Sequence, residues 1–313
     1  MAENKDKFDS NNNLEIETNK EKLKGKEKLI KFAKELSNSL IVEGFPLVIP
    51  KEDNIEDYYR IDINKFSDVY PEEDIKKDIE KTNEKELNFK EKNEKIQKQK
   101  TESLSYKTSP DKIIEKELGK ENISQGILFE IFKTSLFNKF LKEDFLVLRT
   151  SRYDDIKNGV DNLILEKNEK NVICAIDDVT QIKLSSYFEE KKKEILRKNL
   201  ELNGVKIKYG VYFEKDKNGQ RVLRKGPLEN IPLFYLPLTQ DYLKKGLNNF
   251  IPSLSGYSDY EKKLMKYFLE AFMLQIRMLE LESYKNDDFL KKISIVKKTV
   301  RRWDDKIKSI NAK

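Results

Sequence analysis

The sequence predicts an α/β protein. Three observations carry that expectation: a helical stretch, a pair of β-branched apolar runs separated by four polar residues, and a second helix-compatible stretch that leads into further extended segments. In the first, Ile123 to Leu141, the residues Ile127, Leu128, Ile131, Phe132, Ser135, Leu136 and Phe140 recur with helical period, and Asn122 or Ser124 can cap its start. Phe145-Leu-Val-Leu-Arg149 follows as a first strand. Gly159 to Glu166 and Asn171 to Thr180 flank K-N-E-K, and four-residue loops are common hairpin connections. Ser185 to Leu202 is charged and helix-compatible and stops at Asn203-Gly204, a left-handed terminator. Val205 to Phe213 alternates as a strand, and Pro232-Leu-Phe-Tyr-Leu-Pro237 is a last strand that its prolines confine to an edge.

The hairpin brings acidic residues together. If Glu166 pairs with Asn171, Asp161 stands opposite Ile176, and Ile176, Asp178 and Thr180 share its face while Asp177 points the other way. A slip of one residue would exchange Asp177 for Asp178. Two carboxylates close enough to repel call for a positive charge between them. A hard divalent cation suits the place, because Mg²⁺ uses one or two carboxylates together with waters and phosphate oxygens, which is the chemistry of phosphodiester hydrolysis.

The run G-V-D at 159–161, a hairpin, and D-x-T at 178–180 inside an apolar strand resembles the PD-(D/E)XK nuclease superfamily, and the order of elements extends the similarity over roughly residues 111–240. The resemblance implies a restriction-endonuclease-like α-β-β-β-α-β core with a mixed sheet, and Mg²⁺ or Mn²⁺ as cofactor. Asp161 matches the family's first metal-binding acid and Asp178 its second. Thr180 stands where the family usually has lysine, and Glu130 takes the place of a glutamate on the first helix near the metal. The family's lysine orients the attacking water or stabilises negative charge; a threonine hydroxyl hydrogen-bonds but carries no charge. Lys183, or Lys191 or Lys192 from the second helix, can bring that charge from elsewhere; otherwise the site binds metal weakly or is inactive. The expected catalytic set is therefore Asp161, Asp178, Thr180, Glu130 and Lys183, with Asp161 and Asp178 as metal ligands.

Composition narrows the chemistry. The chain has no histidine, which excludes Ser-His-Asp and Cys-His catalysis and histidine metal sites and leaves acid–base work to carboxylates, lysine or tyrosine. Its one cysteine, Cys174, lies in the third-strand apolar run and is expected to be buried, and a lone cysteine without an intrachain disulfide fits the cytoplasm. There is no Gly-rich phosphate loop, no dinucleotide fingerprint, no membrane-spanning apolar run and no signal-peptide core.

Of the 313 residues, 38% are charged and 37% hydrophobic, so only part of the chain is expected to pack densely. Residues 1–25 read as a disordered tail, and 26–110 as a charged, partly helical region and linker. Within it, Lys26 to Leu40 is helical, Ile41 to Pro50 extended, and 71–108 a solvated helix or disordered linker. Residues 111–257 form the nuclease-like core. Residues 258–313 form two helices, the second bearing Lys297, Lys298, Arg301 and Arg302 on a basic face; residues 261–313 hold 14 Lys and Arg against 8 Asp and Glu, enough to account for the net +6 of the whole chain. That face suits a phosphate backbone, and equally a solvated surface. The sequence thus leaves three readings: a metal-dependent nuclease of DNA or RNA, an inactive nuclease-like domain that binds nucleic acid or a protein through its N- or C-terminal helices, and a helical interaction protein.

Overall fold

The computed structural model describes residues 25–40, 54–103, 125–167, 172–180, 186–282 and 286–311. Helix α1 covers residues 25–39 and α2 Glu72–Ser103; α3 is Gln125–Leu141, followed by β1 (Phe145–Arg149), the short helix α4 (Arg152–Asn158), β2 (Asn162–Glu166) and β3 (Val172–Thr180). Helix α5 (Ser186–Leu202), the hairpin β4–β5 (Val205–Lys215 and Arg221–Ile231), β6 (Leu233–Leu238), and helices α6 (Gln240–Asn248), α7 (Asp259–Glu282) and α8 (Asp287–Asn311) complete it.

One sheet has the order β1-β2-β3-β6, antiparallel along the meander and parallel between β3 and β6, so it is mixed; β4 and β5 form a separate two-stranded sheet. The proline-flanked strand β6 lies at the sheet's edge, with Pro237 opposite Val179. At the other side, residues 59–61 bridge to Arg149 in parallel fashion: Ile61 N–H donates to Arg149 O (3.0 Å) and Arg149 N–H to Tyr59 O (2.8 Å). The N-terminal region is therefore built onto the first strand.

The sheet separates two cores. On one face Phe145, Val147, Ile164, Cys174, Ile176 and Phe234 pack against α1, α3 and the C-terminal helices, where Trp303 meets Phe137, Phe145 and Phe272 edge-on. On the other face Leu146, Leu148, Leu163 and Ala175 pack against Ile195 of α5 and Tyr209, Val211 and Phe213 of β4. Strand residues with apolar side chains in both directions are what a sheet covered on both faces requires. Cys174 is fully buried, and burial pushes its thiol up, which makes it inert.

Several boundaries differ from expectation. Residue 25, assigned to the tail, already opens α1; residues 1–24 and the extended stretch at 41–50 lie outside the described residues. The charged stretch at 71–108 contains a 32-residue helix, α2, led by Glu72, Glu73 and Asp74, acids that favour a helix N-terminus. Strand β5 was not anticipated: its sequence R-V-L-R-K-G-P-L-E-N-I carries charges and a proline, and it follows a turn at Asp216 to Gln220 whose Asp216 carboxylate accepts the N–H groups of Asn218 and Gln220.

Candidate functional site

The hairpin register explains where the acids go. Near the loop, Leu165 pairs with Val172, the register expected from Glu166 opposite Asn171. A β-bulge between Ile164 and Leu165 then adds one residue on β3, and beyond it Ile164 pairs with Cys174 and Asn162 with Ile176. The expectation that Asp161 stands opposite Ile176 is therefore corrected: Asn162 does, and the slip exchanges the faces of Asp177 and Asp178 relative to Asp161. Asp178 faces α3 and pairs with Lys133; Asp177 faces α5, where Lys191 Nζ lies 2.7 Å from its Oδ2.

Asp161 lies just before β2, where it can reach both. Gly159 caps α4 in the left-handed conformation (φ 62°), with its N–H on Asp155 O, and a side chain there would crowd Lys198 and Lys191. The turn delivers Val160 and Asp161 to the sheet's end. There Thr150 N–H donates to Asp161 O (2.9 Å), Asp161 N–H donates to Ile176 O (2.8 Å), and the Asp161 carboxylate accepts the backbone N–H of Asp178.

Around this point three carboxylates converge. One oxygen each from Glu130 of α3, Asp155 of α4 and Asp161 lies within 4.8 Å of the others. Burial first, then the Asp155 and Glu130 carboxylates, push Asp161 well above the usual carboxylate range. Burial lifts Asp178 to about 7 in spite of Lys133, and Asp177 to about 6 in spite of Lys191. These are groups whose charged forms lack sufficient compensation, and Asp178 Oδ2 is buried with no hydrogen-bond partner among the described residues. An all-oxygen donor set of this kind fits a hard divalent cation.

Cations already border the trio. Arg149, fully buried on β1, donates to Glu130 and to Glu56 O (2.6 Å). Arg60 from the N-terminal segment lies 3.1 Å from Asp155 Oδ2 and 3.7 Å from Glu130 Oε2; burial opposes its charge, but those two carboxylates outweigh burial and raise its pKa. Lys133, also fully buried, donates to Asn162 Oδ1 (2.6 Å) and to Asp178, while Asn162 Nδ2 donates to Thr134 Oγ1 (2.7 Å), locking α3 to the start of β2.

Of the residues expected at the site, Glu130 and Asp161 come together; Asp178, expected on Asp161's face as the second metal ligand, lies outside the trio with its carboxylate on Lys133 and meets Asp161 through its backbone N–H. Thr180 ends β3 opposite Leu238, and Lys183 lies outside the described residues. Lys191 reaches Asp177 rather than Asp178, and Lys192 only Glu189, at 3.9 Å. Sequence reasoning missed Lys133, Asp155, Arg60 and Arg149. Lys133 had a signal: it stands three residues after Glu130, one turn along the same helical face, inside the apolar run Ile131-Phe-Lys-Thr-Ser-Leu136. Of the basic residues on α8, Lys297 is tied to Glu280 (2.7 Å), and Arg302 to Glu166 (2.6 Å) and the face of Phe145; Lys298 and Arg301 are exposed. Among the described residues no helix is long and apolar enough to cross a membrane. No protein-family model, no curated protein and no solved structure matches this chain.

Proposed function

We propose that this protein is a metal-dependent nuclease that hydrolyses phosphodiester bonds in DNA or RNA, built on a PD-(D/E)XK-like core. The observation that carries the reading is the convergence of Glu130, Asp155 and Asp161 beside a buried Asp178 with an unpartnered oxygen. The order helix α3, meander β1–β2–β3 with α4 inserted after β1, helix α5 and, after the separate β4–β5 hairpin, a strand β6 parallel to β3 supports it. Glu130, Asp155 and Asp161 would hold Mg²⁺ or Mn²⁺, which when bound polarises the scissile phosphate and activates water. Asp161 also fixes the backbone of Asp178 through its N–H, so metal ligand and second acid keep one spacing. Lys133 brings to Asp178 the positive charge that position 180 lacks, held in place by Asn162.

A second reading, a nuclease-like domain without catalysis that binds nucleic acid or a protein, is favoured by one observation: Arg60 and Arg149 already neutralise Glu130 and Asp155. Cleavage of single- and double-stranded DNA and RNA with Mg²⁺ or Mn²⁺, by wild type and by Asp161→Asn, separates the two. The nuclease reading expects metal-dependent cleavage that Asp161→Asn removes. Undiminished cleavage by that variant, or none by wild type on any of these substrates, overturns it.

A further inference from the structure

A cavity of about 320 Å³ opens beside the carboxylates, between residues 54–64, one side of α2 and the start of α4. Arg60 belongs to both places: it lines the cavity, and its guanidinium holds Asp155 and Glu130. Its position is fixed by the residue before it. Tyr59 is fully buried in the left-handed backbone region (φ 62°), costly for a bulky side chain, and is held there by its hydroxyl against Ser135 Oγ (2.8 Å) and its N–H on Ser37 Oγ (3.1 Å).

The cavity is not an anion trap. Its other cation, Arg152, is consumed by Glu56, Asp57 and Glu86 at 3.0–3.2 Å. Two carboxylates also line it, Asp57, held by Arg152 and the Asn54 amide, and Asp62, which accepts the backbone N–H and side-chain amide of Asn64. The rest is apolar wall from Ile61, Ile63 and Ile79, the Tyr153 ring, and neutral polar groups, of which the Tyr153 hydroxyl and the Asn83 amide have no hydrogen-bond partner among the described residues. Flat apolar surface with neutral donors and acceptors at its margin is what a heteroaromatic base presents to match, and a volume of this size accommodates one nucleoside.

We propose that this cavity receives one nucleobase of the substrate strand, adjacent to the phosphodiester addressed by the carboxylates. The identity of the strand as substrate rests on the nuclease reading, but the binding does not. The N-terminal region thereby acquires a role in recognition.

The test uses the full chain, labelled with ¹³C at the isoleucine methyl groups and kept free of metal. Adenosine, guanosine, cytidine, uridine and thymidine are titrated in turn, against inorganic phosphate and ribose 5-phosphate. At least one nucleoside is expected to shift the Ile63 and Ile79 methyl signals saturably, while phosphate and ribose 5-phosphate do not. Binding should weaken at least tenfold in Asn83→Arg, an exposed helix position that tolerates arginine, and at least threefold in Tyr153→Phe. No shift with any nucleoside, an equal shift with phosphate alone, or unchanged affinity in both variants overturns the proposal. Asp161→Asn should retain the nucleoside shifts. Nucleoside binding by a protein that cleaves nothing therefore overturns the nuclease reading and upholds the cavity, whereas metal-dependent cleavage without nucleoside shifts does the reverse.

Discussion

Helix α3 buries two lysines completely, Lys133 and Lys139, and each pairs with a carboxylate, yet the two pairs are built differently. Lys139 Nζ donates to Glu261 Oε1 (2.5 Å) and Ile251 O (2.8 Å) and lies over the rings of Phe250 and Tyr257; Glu261 Oε2 accepts the N–H of Ser258 (2.7 Å). Both Glu261 oxygens are engaged, and the pair fastens α3 to the start of α7. Lys133 is as deeply buried, but its partner Asp178 keeps one oxygen without a hydrogen bond, sits beside Glu130 and Asp177, and has its pKa lifted to about 7. A buried charge that is fully satisfied holds structure together. One left incomplete beside other acids is poised to take a ligand.

That contrast is broken most decisively by activity. Asp178→Asn keeps the shape and the hydrogen-bonding oxygen but removes the charge, and cleavage should fall about a thousandfold, roughly 4 kcal/mol of transition-state stabilisation. Glu261→Gln should leave cleavage per folded molecule within about twofold. Single-turnover rates with Mn²⁺, corrected for the folded fraction by circular dichroism, make the comparison. Equal losses in both variants would mean that the two pairs serve the same structural purpose.

Stability should divide the pairs in the opposite sense. Lys139→Met strands Glu261 in a dry core, and breaking a buried pair in this way costs about 3–5 kcal/mol, seen as a Tm about 8–15 °C lower. Lys133→Met leaves Asp178, which near neutrality can take up a proton instead, so the loss should be only about 1–2 kcal/mol. Its cleavage rate should nonetheless drop about a hundredfold. A Tm fall in Lys133→Met as large as in Lys139→Met would show that Asp178 cannot neutralise itself.

How much of this was legible follows from the kind of interaction involved. Helix α3, the β2–β3 hairpin, α5 and the two C-terminal helices are local patterns of apolar period, and the sequence carries them openly. Asp161 and Asp178 were legible as neighbours because a short hairpin joins their strands, though not on one face, and Glu130 was named from the family resemblance rather than from any spacing. The bulge at Ile164 and Leu165 was not, since no turn residue marks it, and that single extra residue decides which aspartate meets α3. Arg60, about 100 residues before the hairpin, reaches the acids through the parallel bridge to Arg149, a contact with no local signature. Asp155 needed the left-handed turn at Gly159 to aim its helix at the site.

The smallest effect is the most specific to the incomplete pair. Asp178 and Asp177 are held at about 7 and about 6, above the ordinary carboxylate value near 4 expected for the unfolded chain. Between roughly pH 4 and pH 7 the folded protein therefore binds more protons than the unfolded one, and its stability falls as pH rises through that window. Metal-free protein should accordingly melt a few degrees higher at pH 6 than at pH 8, and Asp178→Asn should flatten that slope. If Glu130, Asp155 and Asp161 hold a divalent metal as proposed, the ion competes with the proton on Asp161, which burial and the Asp155 and Glu130 carboxylates also push well above the usual range. Millimolar Mg²⁺ should therefore raise Tm at pH 8 and much less at pH 6, with Asp161→Asn insensitive to Mg²⁺ at both. Melting curves at the two pH values, with and without Mg²⁺, check this; a Tm that rises from pH 6 to pH 8 without metal, or a Mg²⁺ effect that survives in Asp161→Asn, would show that protons and metal do not meet at these acids.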